Sequence, residues 1–239
     1  MRMDELLKKQ GFGSRNQIKK LLKSHQVKID GKLVTGANTI VDAQVQKIEV
    51  AGQRVRDSSL VYYLLHKPAG IVTARKDDQH QTVLDLLAKE ISKDGLYPVG
   101  RLDRDTEGLV LITNNGPLGF KLLHPSHHIS KTYLVEVNGY LAEDAVDFFD
   151  QGVRFLDGNI CKPAQLDILN AEETKSRARL VITEGKFHQV KKMFLAYGLK
   201  VTYLKRIAFG PLKLGDLERG QYRPLAKDEI AILLDQTRA

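Results

Sequence analysis

Gly100-Arg101-Leu102-Asp103-Arg104-Asp105-Thr106-Glu107-Gly108-Leu109 places three carboxylates and two guanidiniums within ten residues. An apolar run, Leu109-Val110-Leu111-Ile112, follows, and Asn114-Asn115-Gly116 then signals a turn. The pattern is that of a charged loop feeding a short buried strand. A carboxylate on such a loop is held by a rigid element while its tip faces a cleft. Flanking arginines keep it ionised, because a nearby positive charge lowers a carboxylate's pKa. Those properties suit a nucleophile or a base. On charge density alone, a surface turn laced with ion pairs is the commoner structure.

The same stretch resembles the active-site motif of the pseudouridine synthases, and Gly100 ahead of it points to the branch acting on ribosomal RNA. Two further blocks match in the expected order, Lys131-Thr132-Tyr133-Leu134-Val135 and the run from Glu184-Gly185-Lys186-Phe187-His188 through Gln189-Val190-Lys191-Lys192-Met193-Phe194. The resemblance covers nearly the whole chain. It implies that Asp103 is the essential aspartate and that Arg101 fills the stack vacated when the target nucleotide is flipped out. By the same resemblance Tyr133, which on an alternating strand is otherwise a core residue, stacks on the target base. Lys191 then pairs with Asp103. Leu102 and Arg104 fall beside them on the substrate side, Arg104 and Asp105 being assigned to supporting ion pairs. Helical geometry agrees with the choice of lysine: Lys191 borders the face set by Val190 and Phe194, whereas Lys192 points away and is expected to stay wet.

The chemistry that the resemblance implies detaches uracil, turns it and rejoins it through carbon. It is redox-neutral and needs no group donor, so no cofactor is expected. His124, His127 and His128 cluster in the sequence without a carboxylate or thiolate at a metal-binding spacing, so no metal is expected either.

Charge is uneven along the 239 residues. Residues 1–60 hold 12 Lys+Arg against 6 Asp+Glu, while the remainder holds 25 against 23. That asymmetry points to a polyanion-binding module joined to a near-neutral body. Ser14, with Gln17 at capping-box spacing, opens a helix whose Ile18, Leu21 and Leu22 share one face. Lys19, Lys20 and Lys23 lie on the other, with Arg15 at the border, and residues 14–29 contain no acidic side chain. A solvated basic face is the ordinary structure of such a helix; the missing acids favour phosphate contact. Two helices, an Asp30-Gly31 hairpin and a further strand resemble the small RNA-binding module named after ribosomal protein S4. That domain is expected over 1–57, closing in a polar, unpatterned stretch from Gln53 to Ser59. The catalytic domain is expected over 60–239.

The body reads as α+β, with a mixed, mostly antiparallel sheet flanked by helices. Strands are expected at 61–65, 131–137, 153–156, 164–169, 179–183 and 200–208. Helices are expected from Thr82 to 91, after Pro117, at 142–151 and from about 188 to Gly198. Cys161 is the only cysteine, which fits a reducing cytoplasm. Neither a signal peptide nor a membrane-spanning run is read, and the chain is expected to act as a monomer. Three functions compete: a synthase acting on ribosomal RNA, a non-catalytic RNA-binding assembly factor, and a glycosidase-like enzyme. A purely binding protein has no need of Asp103, Tyr133 and Lys191 together, and a glycosidase has no need of the basic module. Cys161-Lys162-Pro163-Ala164 with His188-Gln189-Val190-Lys191 resembles the small-subunit branch, although large-subunit relatives share the motif loop. The implied partner is ribosomal RNA or an assembly intermediate.

Overall fold

Short alternating segments at the amino end fold into an antiparallel sheet backed by two helices, in a computed structural model that describes residues 1–236. The helices are α1 (Met3–Lys9) and α2 (Arg15–Lys23), and the strands β1 (Val27–Ile29), β2 (Lys32–Leu33), β3 (Ile48–Val50) and β4 (Gln53–Val55) run in the order β2-β1-β3-β4. Ser14 and Gln17 close a reciprocal capping box at the start of α2. Asp30 and Gly31 both take positive φ, as the two central residues of a tight hairpin turn require. Ile18, Leu22, Val27, Ile29, Ile48 and Val50 form the core of this unit with α1. The stretch from Gln53 is not unpatterned. It turns at Ala51-Gly52 and pairs back on β3, with Ile48 opposite Val55. Only Val55 of β4 is buried, so an edge strand with one inward side chain shows no alternation to read.

The body is built on nine strands: β5 (Tyr62–Lys67), β6 (Tyr97–Val99), β7 (Glu107–Thr113), β8 (Lys131–Val137), β9 (Gln165–Ala171), β10 (Ser176–Ile182), β11 (Val201–Phe209), β12 (Leu212–Lys213) and β13 (Tyr222–Pro224). The main order is β13-β5-β7-β11-β8-β10-β9, with β6 paired to β7 and β12 to β11. Among these described strands only β7 and β11 pair in parallel, so the sheet is mixed and mostly antiparallel. All of β7 is buried, because layers cover both of its faces. Val110 and Ile112 face α4 (Asp144–Asp150) and α5 (Gln189–Tyr197), while Leu109 and Leu111 face α3 (Gly116–Leu123) and α6 (Lys227–Asp235). A strand buried on both faces reads as a continuous apolar run.

Two expected elements are absent. Residues 82–91 form successive tight turns rather than a helix. The Asp85 carboxylate takes both the backbone N–H (2.9 Å) and the hydroxyl (2.8 Å) of Thr82 as a helix start would, but the backbone then closes single turns, Asp85 N–H on the Thr82 carbonyl (3.1 Å), Leu87 on Leu84 (3.3 Å) and Ile91 on Ala88 (3.1 Å), in place of the helical ladder. Val83, Leu84 and Leu87 are buried all the same. Residues 153–156 make one bridge, Arg154 to Ile160, around a turn closed by Phe155 N–H on the Asn159 carbonyl at 2.7 Å, too short for a strand.

The amino-terminal unit is fastened to the body through a buried hydrogen-bond chain. Asn115 Nδ2 donates to the Tyr62 hydroxyl at 3.0 Å, and that hydroxyl donates to Asp42 at 2.8 Å. Burial, followed by the Asp42 charge, pushes the phenol's pKa far up, so it stays a donor. Tyr62→Phe leaves a buried carboxylate oxygen and an amide N–H short of a partner and is expected to cost about 1–3 kcal/mol. Urea unfolding of the two proteins measures it.

Candidate functional site

The motif loop connects β6 to β7, so both of its ends are locked by one antiparallel ladder in which Val99 faces Leu111. Side chains from β5 and the loop after it hold the middle. The Lys67 ammonium, fully buried, donates to the carbonyls of Pro68 (3.0 Å), Arg104 (3.1 Å) and Thr106 (2.7 Å). Burial lowers its pKa to about 8 against the pull of Asp105 and Asp103. Thr73 both donates to the Leu102 carbonyl (2.8 Å) and accepts from the Leu102 N–H (3.1 Å). Asp103 therefore sits at the apex of a pinned loop. Gly108, at φ +113, lets β7 approach β11 closely; a Cβ there would collide with the backbone of Arg206.

Lys191 projects from the first turns of α5 to this apex. Its Nζ lies 3.2 Å from Asp103 Oδ2 and 2.7 and 2.8 Å from the two oxygens of Asp105. Burial works against its charge, but hydrogen bonds to Asp105 and Asp103 outweigh it and raise the ammonium's pKa. The same contacts, set against burial, hold the Asp105 carboxyl below its ordinary range. His188 precedes α5 in a left-handed conformation, φ +53, and its Nε2 comes within 3.7 Å of Asp103 Oδ1. The Phe187 ring stacks on His188 at 3.8 Å.

These groups open onto a cleft of about 450 Å³, bordered by Arg101, Leu102, Asp103, Tyr133, Lys186 and Lys191. Its size is that of a site for a small ligand. Arg101 is exposed at the rim, Leu102 is buried, and Tyr133 is buried below on β8. The resemblance-derived set is thus brought together, with two corrections, to Arg104 and Lys192. Arg104 is exposed and outside the cleft lining, and among the described residues its guanidinium joins no ion pair. Its carbonyl is what the structure uses, accepting from Lys67 and from the Gly70 N–H at 2.8 Å. Asp105 does join an ion pair, and it is the nearer of the two carboxylates to Lys191. Lys192 is hardly wetter than Lys191, with side-chain exposure of 33% against 28%. The turn of the helix aims it at Asp157 (2.7 Å) and over the rings of Phe155 and Phe187. Arg15, Lys19, Lys20 and Lys23 form an exposed row on α2, away from the cleft.

Lys67, Thr73, His188, Lys131 and Arg206 were not singled out from sequence as site-forming. Lys67 leaves one trace, a cation closing an otherwise apolar strand just before a proline.

The model for RNA pseudouridylate synthases matches residues 61–196, which contain the loop, Tyr133 and Lys191, and the S4 domain model matches residues 1–46. The chain belongs to the RNA pseudouridylate synthase family. An uncharacterized RNA pseudouridine synthase of Bacillus subtilis is 39% identical over 98% of both chains. Ribosomal small subunit pseudouridine synthase A of Yersinia pestis is 38% identical over 97% of each. Ribosomal large subunit pseudouridine synthase B of Bacillus subtilis is 36% identical over 96% of this chain and 93% of its own. A crystal structure of a pseudouridylate synthase superposes with a TM-score of 0.68 at 32% identity, covering 98% of this chain and 99% of that one. As a pseudouridylate synthase with an S4 domain, the chain is an RNA-modifying enzyme. No helix among the described residues is long and apolar enough to cross a membrane.

Proposed function

We propose that this synthase isomerises one specific uridine of ribosomal RNA, in the small subunit, with Asp103 as the essential carboxylate. The observation that carries the reading is the Lys191 ammonium bonded to Asp103 at the apex of the pinned loop, above a cleft large enough for one base. The target uridine leaves its helix and enters the cleft, Arg101 takes its place in the stack, and Tyr133 supports the base. Lys191 holds Asp103 in place through their ion pair at 3.2 Å. The domains divide near residues 57–60, the first gripping the RNA backbone and the second acting on the base. The chain works as a monomer in the cytoplasm on ribosomal RNA or an assembly intermediate.

One contact supports the small-subunit branch. The Lys162 N–H and the Gln189 side-chain amide both donate to Glu184 Oε1 at 2.9 Å, so the two segments that resemble that branch meet at one carboxylate on the cleft wall. A large-subunit substrate is the second reading, favoured by the relative of that type at 36% identity. Incubating the purified protein with small- and large-subunit RNA, free and as ribonucleoprotein, and mapping pseudouridine in each decides between them. Modification of the small-subunit RNA alone is expected. Modification confined to the large-subunit RNA selects the second reading.

Grip by α2 has its own expected result. Each lost lysine–phosphate contact lowers the slope of log affinity against log salt by about 0.7–0.9. Lys19→Glu, Lys20→Glu and Lys23→Glu combined should therefore weaken RNA binding and flatten the slope by about 2–3. Filter binding across a salt series checks this, and an unchanged slope moves the grip elsewhere.

A further inference from the structure

Below the Asp103–Lys191 pair, the cleft is floored by two cations that form no ion pair among the described residues. Arg206 on β11 is 2% exposed and Lys131 at the start of β8 is 9% exposed, yet both line the cleft. Among the described residues neither joins an ion pair. Arg206 Nε donates to the Leu109 carbonyl at 2.9 Å, while its Nη2 is buried without a partner. Lys131 Nζ donates to the Ile129 carbonyl at 2.9 Å. Both cations lie near the ring of Phe209, at 5.7 Å for Lys131 and 5.3 Å for Arg206. Burial, then the charge of Arg206, lowers the Lys131 pKa to about 8, with Glu184 opposing. Two buried cations without a carboxylate partner are costly to the fold, and the Arg206 N–H without an acceptor adds to that cost.

The sheet register says what they face. Tyr133 pairs with Arg206 across β8 and β11, and directly paired residues of an antiparallel ladder project from the same side. Lys131, two residues before Tyr133, shares that side. A base lying on Tyr133 therefore turns an edge toward both cations. A backbone phosphate stays with its strand at the rim, where Arg101 is exposed. Of the substrate, the base is the part that reaches toward the buried floor.

We propose that Lys131 and Arg206 are catalytic cations that hold the carbonyl oxygens of the target uracil and stabilise its negative charge while it is detached. The proposal rests on the reading of this cleft as a uridine-isomerising site. When the N1–C1′ bond breaks, its electron pair leaves with the base and spreads from N1 onto O2 and O4. Asp103 compensates the sugar, by bonding to C1′ or by taking the C2′ proton. Rejoining forms C5–C1′, releases Asp103 or returns its proton, and moves the C5 hydrogen to N1, so nothing is gained or lost. Ammonium and guanidinium groups are donors only. They donate to the two carbonyls of uracil and reject the amino group that cytosine carries in place of O4, which makes the floor a specificity element as well.

The test uses the full-length chain with Lys131→Met, Lys131→Arg and Arg206→Lys. Three quantities are read: the single-turnover rate at saturating RNA, RNA affinity by filter binding, and binding of free uracil, cytosine and inorganic phosphate by NMR titration. Lys131→Met should slow turnover by about 10²-fold or more, the scale of one lost donor to a developing oxyanion, at unchanged RNA affinity. It should also erase the preference for uracil over cytosine. Lys131→Arg should regain part of both, which a merely structural lysine would not predict, and Arg206→Lys should show the same pair of losses. A Lys131→Met protein with wild-type rate and wild-type uracil preference overturns the proposal. So does one that loses phosphate binding and RNA affinity while keeping its rate, since the floor would then be a phosphate site. If the wild type modifies no RNA yet prefers uracil and loses that preference in the variants, the floor stands as a base-binding site and the function reading falls.

Discussion

Asp103→Asn is expected to reduce pseudouridine formation by at least about 10³-fold, within the range of 10²–10⁴ that one positioned proton-transfer group contributes, or beyond it if Asp103 is the nucleophile. RNA affinity should stay near wild type, because the amide keeps the shape of the loop. The hydrogen bonds that pin that loop come from Lys67 and Thr73 and end on backbone groups, so the substitution leaves them in place. Asp105→Asn is the matched control. It breaks the shorter contact to Lys191, at 2.7 Å, and leaves the one to Asp103. Its activity should fall far less. If Asp105→Asn proves as inactive as Asp103→Asn, the essential carboxylate has been misassigned.

Lys191→Met carries the second large effect. In the wild type one ammonium stands between two carboxylates, and its hydrogen bond and charge hold Asp105 below its ordinary range against the push of burial. Removing it takes away the strongest interactions set against burial and leaves two carboxylates near each other, and both changes favour a retained proton. A carboxyl that keeps its proton is neither a nucleophile nor a base. Activity at neutral pH should therefore drop by about 10²-fold or more, then rise with pH as the pair ionises. The wild type should show no such rise, since Lys191, with its pKa raised, keeps its charge into alkaline solution. Lys191→Arg should retain part of the activity because the charge persists with altered geometry. Lys192→Met removes a contact to Asp157 outside this pair and should leave the pH profile unchanged. Turnover against pH for the four proteins is the measurement. A Lys191→Met enzyme with the wild-type profile would demote Lys191 to an RNA contact.

Much of this site is legible in the sequence because its chemistry is concentrated in local words. The loop from Gly100 to Leu109, the alternation around Tyr133 and the helical phase of Lys191 each lie within one element. So do the capping box at Ser14 and the apolar run of β7. What escaped depends on contacts between distant segments. Thr82 looks like a helix cap, and only the backbone bonds that follow it, each closing a single turn, show that no helix continues. Strand β4 shows no alternation because one residue of it is buried, and β6 is a three-residue strand completed by β7. Lys67, Lys131 and Arg206 are charged residues that a pattern reading sends to the surface. They are buried because carbonyls 37 to 97 residues away, or a ligand cleft, receive them.

The central claim is that this chain converts one uridine of small-subunit ribosomal RNA through Asp103. Its most direct test is a map of every pseudouridine in ribosomal RNA from a strain carrying the wild-type chain and one carrying Asp103→Asn in its place, with both proteins made to equal levels. The loss of a single pseudouridine, in small-subunit RNA, is predicted for Asp103→Asn, every other site remaining at wild-type occupancy. Two identical maps would contradict the claim, and a missing site in the large-subunit RNA would reassign the substrate.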